Sequence, residues 1–308
     1  MCQILFVLQE IPTQKIQLST NKVSVFIRRE DLIHPFISGN KFRKLKYNLL
    51  QAKSENEETL LTFGGAFSNH IAASAFAGKE HGFKTIGIIR GDELRDKIQV
   101  NPTLKFAQEC GMQFKFVTRE AYRHKTEAEF IADLKQEFGD FYLVPEGGTN
   151  EFAIKGCEEI LTDEDTQFDY VCCAIGTGGT ISGLINSILP HQKVLGFPAL
   201  KGDFLQNEIR KFARNENWEL ITDYHFGGYG KINPELITFI NSFYVENKIP
   251  LDPIYTGKMV FGVIDLIEKN YFPENSKILL IHTGGLQGIQ GMNLKLKAKK
   301  LQTIDIDV

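Results

Sequence analysis

Tyr170-Val171-Cys172-Cys173-Ala174-Ile175-Gly176-Thr177-Gly178-Gly179-Thr180 runs an uncharged, largely apolar segment straight into a glycine turn. The first six residues read as a strand buried on both faces, and the turn as the approach to a helix beginning near Ile181. Three glycines let the backbone come close to a bound group, and amide N–H groups at a helix start favour an anion. The spacing is not G-x-G-x-x-G and has no G-K-[ST] ending, so neither a dinucleotide site nor a P-loop is indicated. Two readings remain. The segment cradles one phosphate monoester, with Thr177 and Thr180 as extra donors, or it is a tight strand–helix turn without a ligand.

Outward from this segment, short apolar runs alternate with helical patterns. Strands are expected at residues 23–27, 59–63, 85–89, 114–117, 141–144, 193–197 and 277–281. Helices are expected at 45–52, 70–81, 126–138, 152–161, 205–214, 234–247 and 255–268. Asn101 reads as an N-cap with Pro102 at the first helical position, and that helix stops at Gly111. The alternation argues for α/β lobes with mostly parallel strands joined by right-handed crossovers. The expected division is a large domain of residues 1–49 and 156–308, with residues 50–155 inserted as a smaller one.

Composition narrows the class. The 308 residues are 43% hydrophobic and 24% charged, the balance of a soluble globular chain of about two domains. A formal net charge of −3 offers nothing to draw the chain to nucleic acid. The five cysteines form no C-x-x-C pair, and Cys172-Cys173 read as core thiols, which fits a reducing cytoplasm. The apolar run 4–8 is too short to span a membrane, and Gln9-Glu10 stand where a cleavage site would need small residues. It is read as neither anchor nor signal.

Four further clusters carry polar groups beside glycine or at helix starts. Gly39-Asn40-Lys41 is a turn at the head of a helical segment in which Leu45 and Leu49 share an inward face. Lys41, Arg43 and Lys44 concentrate positive charge behind Arg28, Arg29, Glu30 and Asp31. A lysine here can hold an anion, form a Schiff base if cations and burial lower its pKa, or belong to a solvated basic helix start. Gly64-Gly65-Ala66-Phe67-Ser68-Asn69-His70 follows a strand, so Ser68 is an N-cap, or Ser68 and Asn69 face a ligand. His70 fits packing or capping better than catalysis, and no metal-ligand spacing connects the histidines. Tyr255-Thr256-Gly257-Lys258 opens a helix with an exposed phenol, and His282-Thr283-Gly284-Gly285 ends a buried strand. Strand ends and helix starts of this kind converge on one cleft in open α/β sheets.

In this order the clusters resemble the pyridoxal-phosphate enzymes of the 1-aminocyclopropane-1-carboxylate deaminase and D-cysteine desulfhydrase group, which have the tryptophan-synthase-β-like fold. The resemblance runs from about Arg28 to Gly285. It implies a homodimer with pyridoxal 5'-phosphate in the cleft between lobes, bound to Lys41 as a Schiff base. Gly176, Thr177, Gly178, Gly179 and Thr180 would hold the phosphate with help from Lys44. Asn69 would lie beside the phenolic oxygen, and Ser68 and Tyr255 would face a small amino-acid substrate. Thr283 fits the place opposite the ring nitrogen, where the deaminases proper resemble one another in having an acidic residue. A neutral hydroxyl leaves that nitrogen unprotonated and weakens the electron sink, which suits β-elimination of D-cysteine to pyruvate, ammonia and sulfide. Competing readings are opening of 1-aminocyclopropane-1-carboxylate to 2-oxobutyrate and ammonia, a racemase or dehydratase, and a non-catalytic binding protein on the same scaffold.

Overall fold

In the computed structural model, residues 10–18 and 22–306 are described; the run 4–8 lies outside them. Strands β1 (Thr13–Lys15) and β2 (Ser24–Arg28) lead into helix α1 (Asn40–Ser54). An alternating stretch follows: β3 (Thr59–Gly64), α2 (Asn69–His81), β4 (Lys84–Arg90), α3 (Pro102–Glu109), β5 (Gln113–Val117), α4 (Ala128–Phe138), β6 (Tyr142–Val144) and α5 (Glu151–Glu158). The second half contains β7 (Tyr170–Ile175), α6 (Gly179–Ser187), β8 (Lys193–Pro198), α7 (Phe204–Arg210), β9 (Trp218–Leu220) and α8 (Pro234–Asn247). Helix α9 (Thr256–Glu268), β10 (Lys277–Ile281) and α10 (Gly288–Ala298) complete the order.

The strands form a six-stranded sheet, β1-β2-β10-β7-β8-β9, and a four-stranded sheet, β5-β4-β3-β6. Among the described residues, only the β1–β2 pair is antiparallel. The expected parallel α/β architecture is present. In the large sheet, Leu279 of β10 is level with Phe26 and Val171. Both faces of this sheet are covered, so adjacent thiols part company. Cys172 packs with Ile27, Leu280, Met259 and Val263 on one side. Cys173 packs with Ile281, Ile181 and Leu184 on the other. The Cys172-Cys173 pair is buried free thiol, as the apolar run implies.

Local signals set several boundaries. Asn101 Oδ1 accepts the Leu104 N–H at 3.0 Å, with Pro102 at the helix start, while Gly111 takes φ +92° beyond the helix end. Helix α6 starts at Gly179, earlier than Ile181, because Gly178 adopts the left-handed N-cap conformation. Helix α7 ends at Arg210, short of the expected 214.

Helix α1 joins the two sheets. Leu45 and Leu49 pack with Leu60 of β3 and Tyr142 of β6. Its other side meets α5, where a Cβ on Gly156 would overlap the Arg43 carbonyl oxygen. Helix α6 meets α5 just as closely, since a Cβ on Gly183 would lie 2.5 Å from that of Cys157. Beneath α1 run buried charges. Arg43 donates to both oxygens of fully buried Glu30 at 2.9 Å, and Arg28 binds Asp165 at 2.6 and 2.7 Å. The basic cluster is therefore not a solvated helix start: Arg43 and Lys44 are buried.

Because the atom that a side chain at 156 would strike belongs to backbone, relief requires α1 and α5 to separate. Gly156→Ala should cost at least about 1–3 kcal/mol in chemical unfolding, whereas Gly139→Ala, with open space around it, should lose only what its positive φ imposes.

Candidate active site

The turn before α1 is fixed by contact with the loop after β10. Gly39 has φ +63°, and a Cβ there would overlap the Thr283 carbonyl oxygen. The same oxygen accepts the Asn40 N–H at 3.2 Å, while the Asn40 carboxamide donates to Thr180 Oγ1 at 2.8 Å. Residues 40, 180 and 283 are thus brought together at the C-terminal ends of β7 and β10.

Lys41 and Lys44, one turn apart on α1, both donate to the Gly147 carbonyl, at 3.2 and 3.1 Å. Burial first, and then the neighbouring Lys44, hold the Lys41 amine well below the ordinary lysine pKa. Burial also lowers Lys44, which donates to Thr149 Oγ1 at 3.1 Å and has no carboxylate in ion-pair range among the described residues. A Cβ on Gly179 would lie 2.9 Å from Lys44 Nζ, so this ammonium sits at the start of α6. No side chain among the described residues caps that helix. The Ser182 N–H donates back to the Gly178 carbonyl at 3.1 Å, and the amides before it belong to the helix end that has no partner within the helix. A helix N-terminus and a buried cation with no counter-charge together favour an anion.

At the start of α2, Ser68 caps the helix by accepting the Ile71 N–H at 3.3 Å. The Asn69 carboxamide lies over the loop after β10, where a Cβ on Gly285 would overlap its nitrogen. His70 is a packed histidine, as expected: its Nε2 pairs with Thr62 Oγ1 at 2.7 Å, and Thr62 donates to the Val144 carbonyl at 2.8 Å. Burial, then Lys41 and Lys44, push its pKa well down and keep it neutral.

Tyr255 lies half-buried with its ring against Gly176, so its hydroxyl is not exposed as the sequence suggests. Burial and the neighbouring Tyr229 raise its pKa well above the ordinary phenol. Sequence reasoning missed Asp252, which sets this tyrosine. Its buried carboxylate accepts N–H groups from Ile254, Tyr255 and Thr256 at 2.8–3.0 Å. An Asp three residues before the tyrosine, at a helix start, was the available signal. Gly147 and Thr149, between β6 and α5, are also absent from the sequence-based candidates. Lys258 points away from the site and donates to the His225 and Gly228 carbonyls at 2.8 and 3.0 Å. Thr283 is buried, and its hydroxyl has no protein hydrogen-bond partner among the described residues.

Residues 7–284 match the family described as "Pyridoxal-phosphate dependent enzyme". A candidate 1-aminocyclopropane-1-carboxylate deaminase of Pyrococcus horikoshii is 33% identical, covering 91% of this chain and 90% of that one. The mitochondrial "Bifunctional D-cysteine desulfhydrase/1-aminocyclopropane-1-carboxylate deaminase" of Arabidopsis thaliana is 29% identical over 87% of this chain and 74% of its own. A crystal structure of an "ACC deaminase homologue" superposes with a TM-score of 0.82 at 30% identity, covering 96% of this chain and 95% of that one. The chain belongs to the pyridoxal-phosphate-dependent enzymes. Its residues fit the cofactor on structural grounds: a half-buried lysine with a depressed pKa, and an uncapped helix start facing an unpaired ammonium.

The lowered Lys41 pKa has a definite sign in stability. With no cofactor bound, the folded chain binds fewer protons than the unfolded chain between the depressed value and the ordinary 10.5. Its penalty is complete below that window and vanishes above it. Stripped of cofactor, Lys41→Met should therefore be more stable than the parent at neutral pH, and the difference should shrink toward pH 10.5 in parallel unfolding curves. A pH-independent difference would mean that the amine is not depressed.

Proposed function

We propose that this pyridoxal-phosphate enzyme removes a β-leaving group from a small amino acid, with D-cysteine as substrate and pyruvate, ammonia and sulfide as products. The observation that carries this reading is Thr283, a buried neutral residue whose hydroxyl has no other protein partner among the described residues. When bound, pyridoxal phosphate supplies a sink for the electrons left at the substrate's α-carbon.

The chain's own groups divide the remaining work. Lys41 provides the amine that carries the cofactor. Gly176, Thr177, Gly178, Gly179 and Thr180 offer backbone amides and hydroxyls to its phosphate, and Lys44 offers the positive charge. Asn69 would serve the phenolic oxygen and Thr283 the ring nitrogen, to which a hydroxyl would donate without adding charge. Loss of the α-proton is then best coupled to departure of a group that takes the electrons away, such as sulfide. Lys41, once its amine is free, accepts the α-proton. On the substrate side Tyr255 holds a proton to give, its raised phenol staying protonated at neutral pH, and Ser68 offers a hydrogen bond. With one water the atoms balance as pyruvate, ammonia and sulfide.

A second reading is supported by the names of the relatives: opening of 1-aminocyclopropane-1-carboxylate to 2-oxobutyrate and ammonia. The same proposal takes the domains as 1–49 with 156–308, and 50–155. The placement of all four strands of the smaller sheet within 50–155 supports this division. A homodimer follows the resemblance. Free Cys110, Cys157, Cys172 and Cys173 are compatible with a reducing, cytoplasmic setting.

Three measurements test this. Borohydride reduction followed by peptide mapping should place the pyridoxyl label on Lys41; a label on another lysine overturns that assignment. Gly178→Val adds a branched side chain at φ +88° and should weaken cofactor affinity by at least about tenfold, while unchanged affinity would leave 176–180 as a plain turn. The natural enzyme should release sulfide from D-cysteine faster than it opens 1-aminocyclopropane-1-carboxylate, and Thr283→Glu should shift that ratio toward ring opening; the reverse order for the natural enzyme sinks the desulfhydrase reading.

A further inference from the structure

His282 has no accessible surface, and its two ring nitrogens reach different parts of the site. Nε2 lies 2.6 Å from the Pro250 carbonyl oxygen, which can only accept, so Nε2 carries a proton. Nδ1 receives the buried Gly284 N–H at 3.2 Å and lies 3.3 Å from Asp31 Oδ1. An amide donor aimed at Nδ1 requires a lone pair there. The Asp31 carboxylate, meanwhile, already has its counter-charge, since Arg29 binds it through Nε and Nη2 at 2.9 and 2.7 Å.

Each partner leads to a residue of the proposed chemistry. Pro250 begins the segment that Asp252 folds into the Tyr255 turn. Gly284 follows Thr283, whose carbonyl holds the turn before Lys41. Asp31 belongs to the same bracket, because its own carbonyl accepts the Ser38 hydroxyl at 3.1 Å beside Gly39. Finally, the His282 N–H donates to the Arg28 carbonyl at 2.9 Å, which continues the β2–β10 pairing past the strand end.

We infer that His282 is a positioning residue: a neutral, Nε2-protonated imidazole that ties the Tyr255 segment to the Thr283 loop. It touches neither substrate nor cofactor. The inference rests on the proposed roles of Thr283 and Tyr255, and it predicts that the two ties can be cut separately. Asn can place its carboxamide oxygen where Nδ1 lies and so keep the Gly284 bond. Gln can place its carboxamide nitrogen where Nε2 lies and so keep the Pro250 bond.

The test combines these variants with nitrogen NMR of the His282 ring in the natural holoenzyme. The ring should show a protonated Nε2 and an unprotonated Nδ1 at neutral pH. His282→Gln, which frees the Thr283 loop, should shift the bound cofactor's absorption spectrum. His282→Asn should leave that spectrum in place and lower kcat by roughly tenfold through Tyr255, the effect of about one hydrogen bond. A protonated Nδ1 overturns the inference, even if neither variant folds. So does an equal change of spectrum and kcat in both variants, which would make the residue mere packing. If D-cysteine is not a substrate, the ring tautomer and the spectra still decide the role of His282, so the two failures can be told apart.

Discussion

Two lysine amines share one carbonyl oxygen, that of Gly147, at 3.2 and 3.1 Å. Two ammonium ions that close, with no carboxylate in ion-pair range among the described residues, repel strongly in a medium of reduced polarity. One resolution is to neutralise Lys41, and the other is to bring an anion to Lys44. The surrounding fold provides for both. Gly147 turns its carbonyl toward α1 from a left-handed conformation, φ +68°. The start of α6 adds its own positive potential beside Lys44. One face of α1 thus carries an amine depressed by burial and by its neighbour, and beside it a cation placed to meet an anion.

That conflict persists because α1 cannot retreat. Gly39 abuts the Thr283 carbonyl, Gly156 abuts the Arg43 carbonyl, and Gly183 lets α6 close on α5. At each contact a glycine faces backbone or a short side chain, so the spacing is set by main chain more than by adjustable packing. The Arg43–Glu30 pair adds a charge constraint beneath the same helix. Removing either partner would strand a buried charge, typically a loss of about 3–5 kcal/mol. The position of Lys41 relative to residues 180 and 283 is therefore inherited from three rigid contacts.

Much of this was legible in the sequence, and what was not has identifiable causes. The segment from Tyr170 to Ile175 has the composition of a doubly covered strand, and it is one. Asn101-Pro102 states its own helix start, as does Asn233-Pro234. By contrast, β1 and β9 are three-residue edge strands, too short for any periodicity to register. Proximity of Asn40 to Thr180 and Thr283 cannot be read from spacing, because it arises where β10 lies between β2 and β7. The burial of Tyr255 is hidden in the sequence for the same reason: its ring lies against Gly176, which is remote in the chain. Asp252 is silent in the sequence because a buried carboxylate that satisfies backbone amides has the same local pattern as any other loop acid.

Ser68 posed a choice between helix cap and substrate contact, and hydroxyl chemistry removes the choice. A serine oxygen has two lone pairs and one proton. The cap on α2 uses a lone pair, accepting the Ile71 N–H at 3.3 Å, and leaves the proton available. The cap also restricts the rotamer, so the proton is offered over a limited arc. Under the proposed reading this orders the proton-handling groups by chemistry. Lys41, held well below the ordinary lysine value, is the group suited to accept a proton. Tyr255, held well above the ordinary phenol, is suited only to give one. Ser68 does neither at neutral pH without a neighbour to drive it, and so it serves as a directional donor to a bound anionic or carbonyl oxygen. Under that reading the α-proton leaves toward Lys41, and burial sets both roles at once, because removing water favours the neutral amine and the neutral phenol alike.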